Sequence, residues 1–80
     1  MGVMLGAGLG CYDLDNFPVR RLPAFLASIP ERVLYVERSV SGRGIHVFIE
    51  APEGPGSRRD GVERYTRARF IRTTFDRIDT

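Results

Sequence analysis

Two aspartates, a histidine and a glutamate are spaced so that they could serve a divalent cation and a polyphosphate. Asp13 and Asp15 close the run Cys11-Tyr12-Asp13-Leu14-Asp15. Side chains alternate along a strand, so residues i and i+2 point the same way, about 7 Å apart. Carboxylates placed like this can bracket a hard cation, which prefers oxygen ligands. Downstream comes Ser41-Gly42-Arg43-Gly44-Ile45-His46. Its backbone N–H groups, hydroxyl and guanidinium form a candidate phosphate cradle. His46 is placed to donate to a phosphate oxygen, while a hard cation favours oxygen over its imidazole. Glu63, in Val62-Glu63-Arg64-Tyr65, is a third acid. Alternation puts Arg69 and Arg72 on opposite faces of Arg69-Phe70-Ile71-Arg72, so at least one guanidinium should turn toward the acids. Each feature has a bland counterpart. Asp-x-Asp occurs at solvated strand ends, a lone histidine is commonly structural, and an arginine-rich edge strand resists aggregation.

These residues must be positioned by a small scaffold. Residues 9–15 read as a strand, followed by a turn at Asn16 and Pro18. Residues 22–29 read as a short helix, with Leu22, Phe25, Leu26 and Ile29 on one stripe. Pro23 fits its first turn and Pro30 ends it. Residues 32–38 alternate, with Val33, Tyr35 and Glu37 on one face and Leu34 and Val36 on the other. Residues 45–50 place Ile45, Val47 and Ile49 opposite His46, Phe48 and Glu50. The glycine-bearing turn between these runs predicts a β-hairpin. Residues 51–60 read as a surface loop, and 62–65 and 69–74 as two strands around a turn at Thr66 to Ala68. The glycine-punctuated residues 1–8 are expected to fray, and residues 75–80 give little signal. The expected fold is α+β, a mostly antiparallel sheet with one short helix.

Eighty residues allow one domain, here spanning 1–80, with a core that buries only about 60–65% of the unfolded chain's surface. All twelve basic residues are arginine, and the net charge is +2. GC-rich codon usage accounts for most of that bias, yet guanidinium forks also match phosphate oxygens bidentately. The single cysteine, Cys11, cannot form an internal disulfide and reads as a small buried hydrophobe. The N-terminal run is neither a signal peptide nor a membrane span, and position 6 is glycine, so the myristoylation pattern fails. A cytoplasmic location is the default, with no membrane partner. Gly6-Ala7-Gly8-Leu9-Gly10 is not a dinucleotide loop, because a strand follows it rather than a helix. An Asp-x-Asp phosphatase of the haloacid dehalogenase type needs a lysine, and this chain has none.

Taken together, Tyr12-Asp13-Leu14-Asp15, Ser41-Gly42-Arg43-Gly44-Ile45-His46 and Glu63 resemble the three motifs of the archaeo-eukaryotic primase superfamily. The likeness is to the bifunctional primase-polymerase domain of bacterial, plasmid and phage replication proteins, and it runs from about Gly8 to Thr74. It implies an RRM-like catalytic core in which Asp13, Asp15 and Glu63 hold Mg²⁺ or Mn²⁺. Ser41, Arg43 and His46 would hold the phosphates of a nucleoside triphosphate, and Arg69 or Arg72 would neutralise charge. The implied activity is template-directed nucleotidyl transfer in phage, plasmid or mobile-element replication. Its partners would be a DNA template and a helicase or the rest of a larger replication protein. Family domains are longer than 80 residues, so the chain reads as a core cut down at both ends. Two rival readings stand beside this one. The first is a non-catalytic nucleic-acid or nucleotide-binding module, in which Arg58, Arg59, Arg64, Arg67, Arg69 and Arg72 grip phosphates. The second is a small metal-dependent phosphohydrolase or nuclease using the same acids.

Overall fold

The computed structural model describes residues 2–59 and 61–79; Asp60, the last residue of the expected loop, lies outside them. The elements are β1 (Gly2–Met4), β2 (Leu9–Leu14), a 3-10 turn (Val19–Arg21), α1 (Leu22–Ser28), β3 (Arg32–Arg38), β4 (Ile45–Glu50), β5 (Ser57–Arg59), β6 (Val62–Tyr65) and β7 (Phe70–Arg72). The chain is a small α+β domain with one short helix and an antiparallel sheet. No helix among the described residues is long and apolar enough to cross a membrane.

The main sheet has the order β3-β4-β2-β6-β5, with every neighbouring pair antiparallel. Since β2 and β3 both run antiparallel to β4, they run parallel to each other. The connection through α1 is therefore a split β-α-β unit with β4 inserted between its strands. Helix α1 carries Pro23 in its first turn, and Ile29 adopts an extended ψ of 145° just before Pro30. Leu22 is buried, and Phe25, Leu26 and Ile29 pack beside it on the sheet. That face of the sheet supplies Tyr12, Leu14, Val36, Ile45, Val47 and Ile49 to the larger core.

The opposite face is also covered, which the sequence pattern did not predict. Residues 1–8 were expected to fray; instead β1 pairs with β7 in a two-stranded ribbon. Leu5 and Ile71 bury themselves with Cys11 and Phe48 beneath it. Long-range pairing and the burial of Leu5 override the local glycine content. Covering both faces explains why β4 is buried from Ile45 through Ile49, polar His46 included.

Three other expectations change. The loop at 51–60 contains β5, which pairs with β6 at the sheet edge. Of residues 75–80, where Thr80 lies outside the described residues, the stretch through Ile78 docks: Arg38 N–H donates to the Asp76 carbonyl and Ile78 N–H to the Val36 carbonyl, both at 2.9 Å. Ile78 enters the larger core, and the segment covers the outer edge of β3. Finally, the register of β3 shifts between Val33 and Tyr35, where Leu34 is the extra residue of a bulge. The bulge turns Val33 toward the helix side and leaves Tyr35 with the smaller core, so the two do not share a face.

The β3–β4 turn is tight. Ser39 N–H donates to the Gly44 carbonyl at 2.8 Å, and Gly42, at φ 78°, closes back on the Ser39 carbonyl. A Cβ at Gly44 would lie 2.9 Å from both the Leu14 carbonyl oxygen and Ser39 Oγ. Gly44→Ala is expected to lower stability by about 1–3 kcal/mol, as overpacked sites do. A urea transition unchanged from wild type would refute this account of the turn.

Candidate active site

The register of the sheet writes a row of polar side chains across its five strands. Glu37 on β3 lies opposite His46 on β4, His46 opposite Asp13 on β2, Asp13 opposite Glu63 on β6, and Glu63 opposite Arg58 on β5. Directly opposite residues share a face, with Cβ atoms about 4.5–5.5 Å apart. The row runs along the face covered by the β1–β7 ribbon.

His46 is 7% exposed and sits between two carboxylates. Its Nδ1 lies 2.9 Å from Glu37 Oε2, and its Nε2 lies 3.9 Å from Asp13 Oδ1. Beyond Asp13 opens a cleft of about 400 Å³, lined by Asp13, Asp15, Ser39, Ser41, Gly44, His46, Arg69 and Arg72, with Val40, Phe70 and Ile71 as its apolar part. Six residues singled out by their types and spacing, Asp13, Asp15, Ser41, His46, Arg69 and Arg72, thus meet around one space.

Burial holds the Asp13 carboxyl above the ordinary aspartate range. His46 and Arg69 oppose that shift, and Glu63 and Asp15 add to it. A carboxyl raised in the folded state favours folding while protonated, and that contribution is lost as pH rises from the unfolded pKa through the folded one. Asp13→Asn is therefore expected to raise the thermal midpoint of the metal-free protein at neutral pH. The gain should vanish in acid, where the native carboxyl is also neutral. An unchanged or lower midpoint at neutral pH would contradict the proposed charge strain. Burial likewise pushes the Cys11 thiol up, with Asp13 and Glu37 adding to the effect, so Cys11 is an inert core residue.

The remaining candidates lie elsewhere. Glu63 borders a separate hollow with Gly56, Ser57, Arg58 and Tyr65, and its carboxylate accepts the Tyr65 hydroxyl. That bond, with burial second, raises the Tyr65 phenol. Arg69 lies over the Tyr65 ring at 4.4 Å, linking Glu63 to the cleft. Among the described residues, no group of three or more His, Cys, Asp or Glu side chains is arranged to hold a metal ion. Arg43 lines a different hollow with Phe17, Pro18 and Arg38. Three amides of the turn are engaged within it. Gly42 N–H, Arg43 N–H and Gly44 N–H donate to the Ser39 carbonyl, Ser41 Oγ and Ser39 Oγ.

Of the arginines proposed for nucleic acid, Arg58, Arg59 and Arg67 are exposed. Arg64 lies on the other face of β6, held by Glu31 Oε2 at 2.8 Å. Its guanidinium sits over the Tyr12 ring, and Tyr12 in turn donates to Glu31 Oε1. Arg64 therefore serves a structural cluster on the helix side.

Glu37 is the residue that sequence reasoning missed. It looked like one more polar strand position. Counting outward from the turn would have found it, because Arg38 pairs with Ile45 and the next pair is Glu37 with His46. Compared with protein-family models, curated proteins and solved structures, the chain has no match in any of the three.

Proposed function

We propose that this chain is the core of a metal-dependent nucleotidyltransferase, acting on nucleoside triphosphates with a DNA template, like the primase-polymerase domains it resembles. The observation that carries this reading is the meeting of Asp13, Asp15, Ser41, His46, Arg69 and Arg72 around one cleft, from three separate stretches of sequence. The split β-α-β unit adds support, since it is half of an RRM-type sheet.

The donor set suits a hard cation. Asp13 carries charge that its surroundings oppose, Asp15 faces the same cleft, and Glu63 is Asp13's neighbour across the ladder. Those three would hold Mg²⁺ or Mn²⁺, Glu63 after leaving its bond to Tyr65, and the ion supplies Lewis-acid neutralisation of phosphate charge. Ser41 would then donate to a phosphate oxygen, and so would His46 Nε2 when the ring carries a proton on both nitrogens. Arg69 and Arg72 pair with the same anion, in the role for which guanidinium forks suit phosphate.

The test is a Mn²⁺ titration of the ¹⁵N-labelled chain with and without a deoxynucleoside triphosphate. Paramagnetic broadening is expected at the amides of Asp13, Asp15, His46 and Glu63, strengthened by the nucleotide, followed by template-directed extension. A folded chain that shows no broadening at these positions refutes the reading. One observation favours the binding-module alternative: Glu63 is already engaged by Tyr65. That alternative predicts nucleic-acid binding that weakens steeply with salt and survives replacement of Asp13 and Asp15 by alanine.

A further inference from the structure

We infer that Glu37 is the positioning residue of this site: its buried carboxylate accepts the Nδ1–H of His46, so that Nε2 is the atom His46 turns toward a phosphate-bearing ligand. The inference rests on the nucleotide-binding reading for the identity of that ligand, but the geometry behind it is separate.

Glu37 is fully buried, and acidic side chains are almost never so unless paired. Its partners are all in place. Oε2 takes His46 Nδ1 at 2.9 Å and Thr74 N–H at 3.2 Å, and Oε1 takes Phe75 N–H at 3.2 Å. A backbone amide can only donate and a carboxylate can only accept. A carboxylate already aligned by two amides therefore requires the proton on Nδ1 of the imidazole. The hydrogen bond made by one ring nitrogen sets what the other presents. Here the other is Nε2, which faces Asp13 Oδ1 at 3.9 Å, longer than a hydrogen bond, at the wall of the cleft.

The arrangement also explains why the segment at 74–78 docks where it does. Its amides hold the far side of the carboxylate that orients His46. A carboxylate serving only to fasten that segment would not need the imidazole, so the two roles separate experimentally.

The experiment uses the full ¹⁵N-labelled chain and inorganic triphosphate as the probe. Long-range proton–nitrogen spectra of the His46 ring should show a protonated Nδ1, and added triphosphate should move the Nε2 signal. An unprotonated Nδ1, with the proton on Nε2 alone, overturns the inference. The second arm is Glu37→Gln, which keeps side-chain size but removes the charge and one acceptor. Triphosphate affinity is expected to fall about 10–100-fold, by analogy with the loss of a residue that orients a metal-binding histidine. Glu37→Asp, which keeps the carboxylate, should recover part of that loss. A folded Glu37→Gln variant that binds triphosphate as tightly as wild type also overturns the inference. If Glu37→Gln does not fold, the wild-type ring spectrum still decides. If wild type binds no triphosphate, the nucleotide reading fails by itself, and the protonation of Nδ1 alone decides whether Glu37 positions His46.

Discussion

If the chain is the nucleotidyltransferase core proposed above, replacing Asp13 and Asp15 together by alanine is expected to abolish Mn²⁺ broadening and to lower metal-dependent nucleotide incorporation by about three orders of magnitude. Charge stabilisation by a catalytic cation is worth several kcal/mol, and about 1.4 kcal/mol is tenfold in rate. Both carboxylates face the cleft, and no other acid among the described residues lines it. The fold should survive, because Asp15 is exposed beyond the end of β2 and burial already disfavours the charge of Asp13. Incorporation must therefore be measured beside a thermal melt. Full activity in the folded double variant would remove these residues from the chemistry. Phosphate release without a template, lost in the same variant, would move the protein to the phosphohydrolase reading.

A chain ending at Thr73 is expected to be largely unfolded at room temperature. Glu37 would lose two of its three hydrogen-bond partners, and disrupting a buried charged network commonly costs about 3–5 kcal/mol. Ile78 would leave the core, where burying such a side chain is worth about 1.5–3 kcal/mol. The outer edge of β3 would lose the hydrogen bonds to Asp76 and Ile78. Set against the roughly 5–15 kcal/mol that stabilises a typical domain, these losses are large for so short a chain. Circular dichroism in urea gives the comparison, and Ile78→Ala, expected to cost about 2–5 kcal/mol, isolates the apolar share. If the shortened chain keeps a cooperative transition at the wild-type midpoint, the docked segment is ornamental and the account of Glu37 weakens with it.

What could be read from the sequence was local. Period-2 runs bounded by glycine and proline located β3, β4 and β6 to the residue, because β-branched side chains and turn residues act over a few positions. The apolar stripe of α1 and its two prolines were equally legible. The same alternation put Asp13 and His46 on their strands and predicted that β3 and β4 would form a hairpin. Alternation failed at Leu34, since a bulge is an extra residue in one strand that only the partner's register reveals.

The tertiary structure decided everything that depends on pairing distant strands. Gly2–Met4 has no strand character of its own and becomes one because β7 lies beside it and Leu5 finds a core. Phe75 to Ile78 dock because a buried carboxylate and a sheet edge need partners. The row from Glu37 through His46 and Asp13 to Glu63 joins four strands whose order, β3-β4-β2-β6, follows from no local preference. Residue types and spacing are properties of short stretches, so the sequence by itself determined which groups could do chemistry. Register and burial on both faces of the sheet are properties of the whole packed chain, and they determined which of those groups meet, which nitrogen of His46 is held, and that Glu63 and Arg64 are engaged elsewhere.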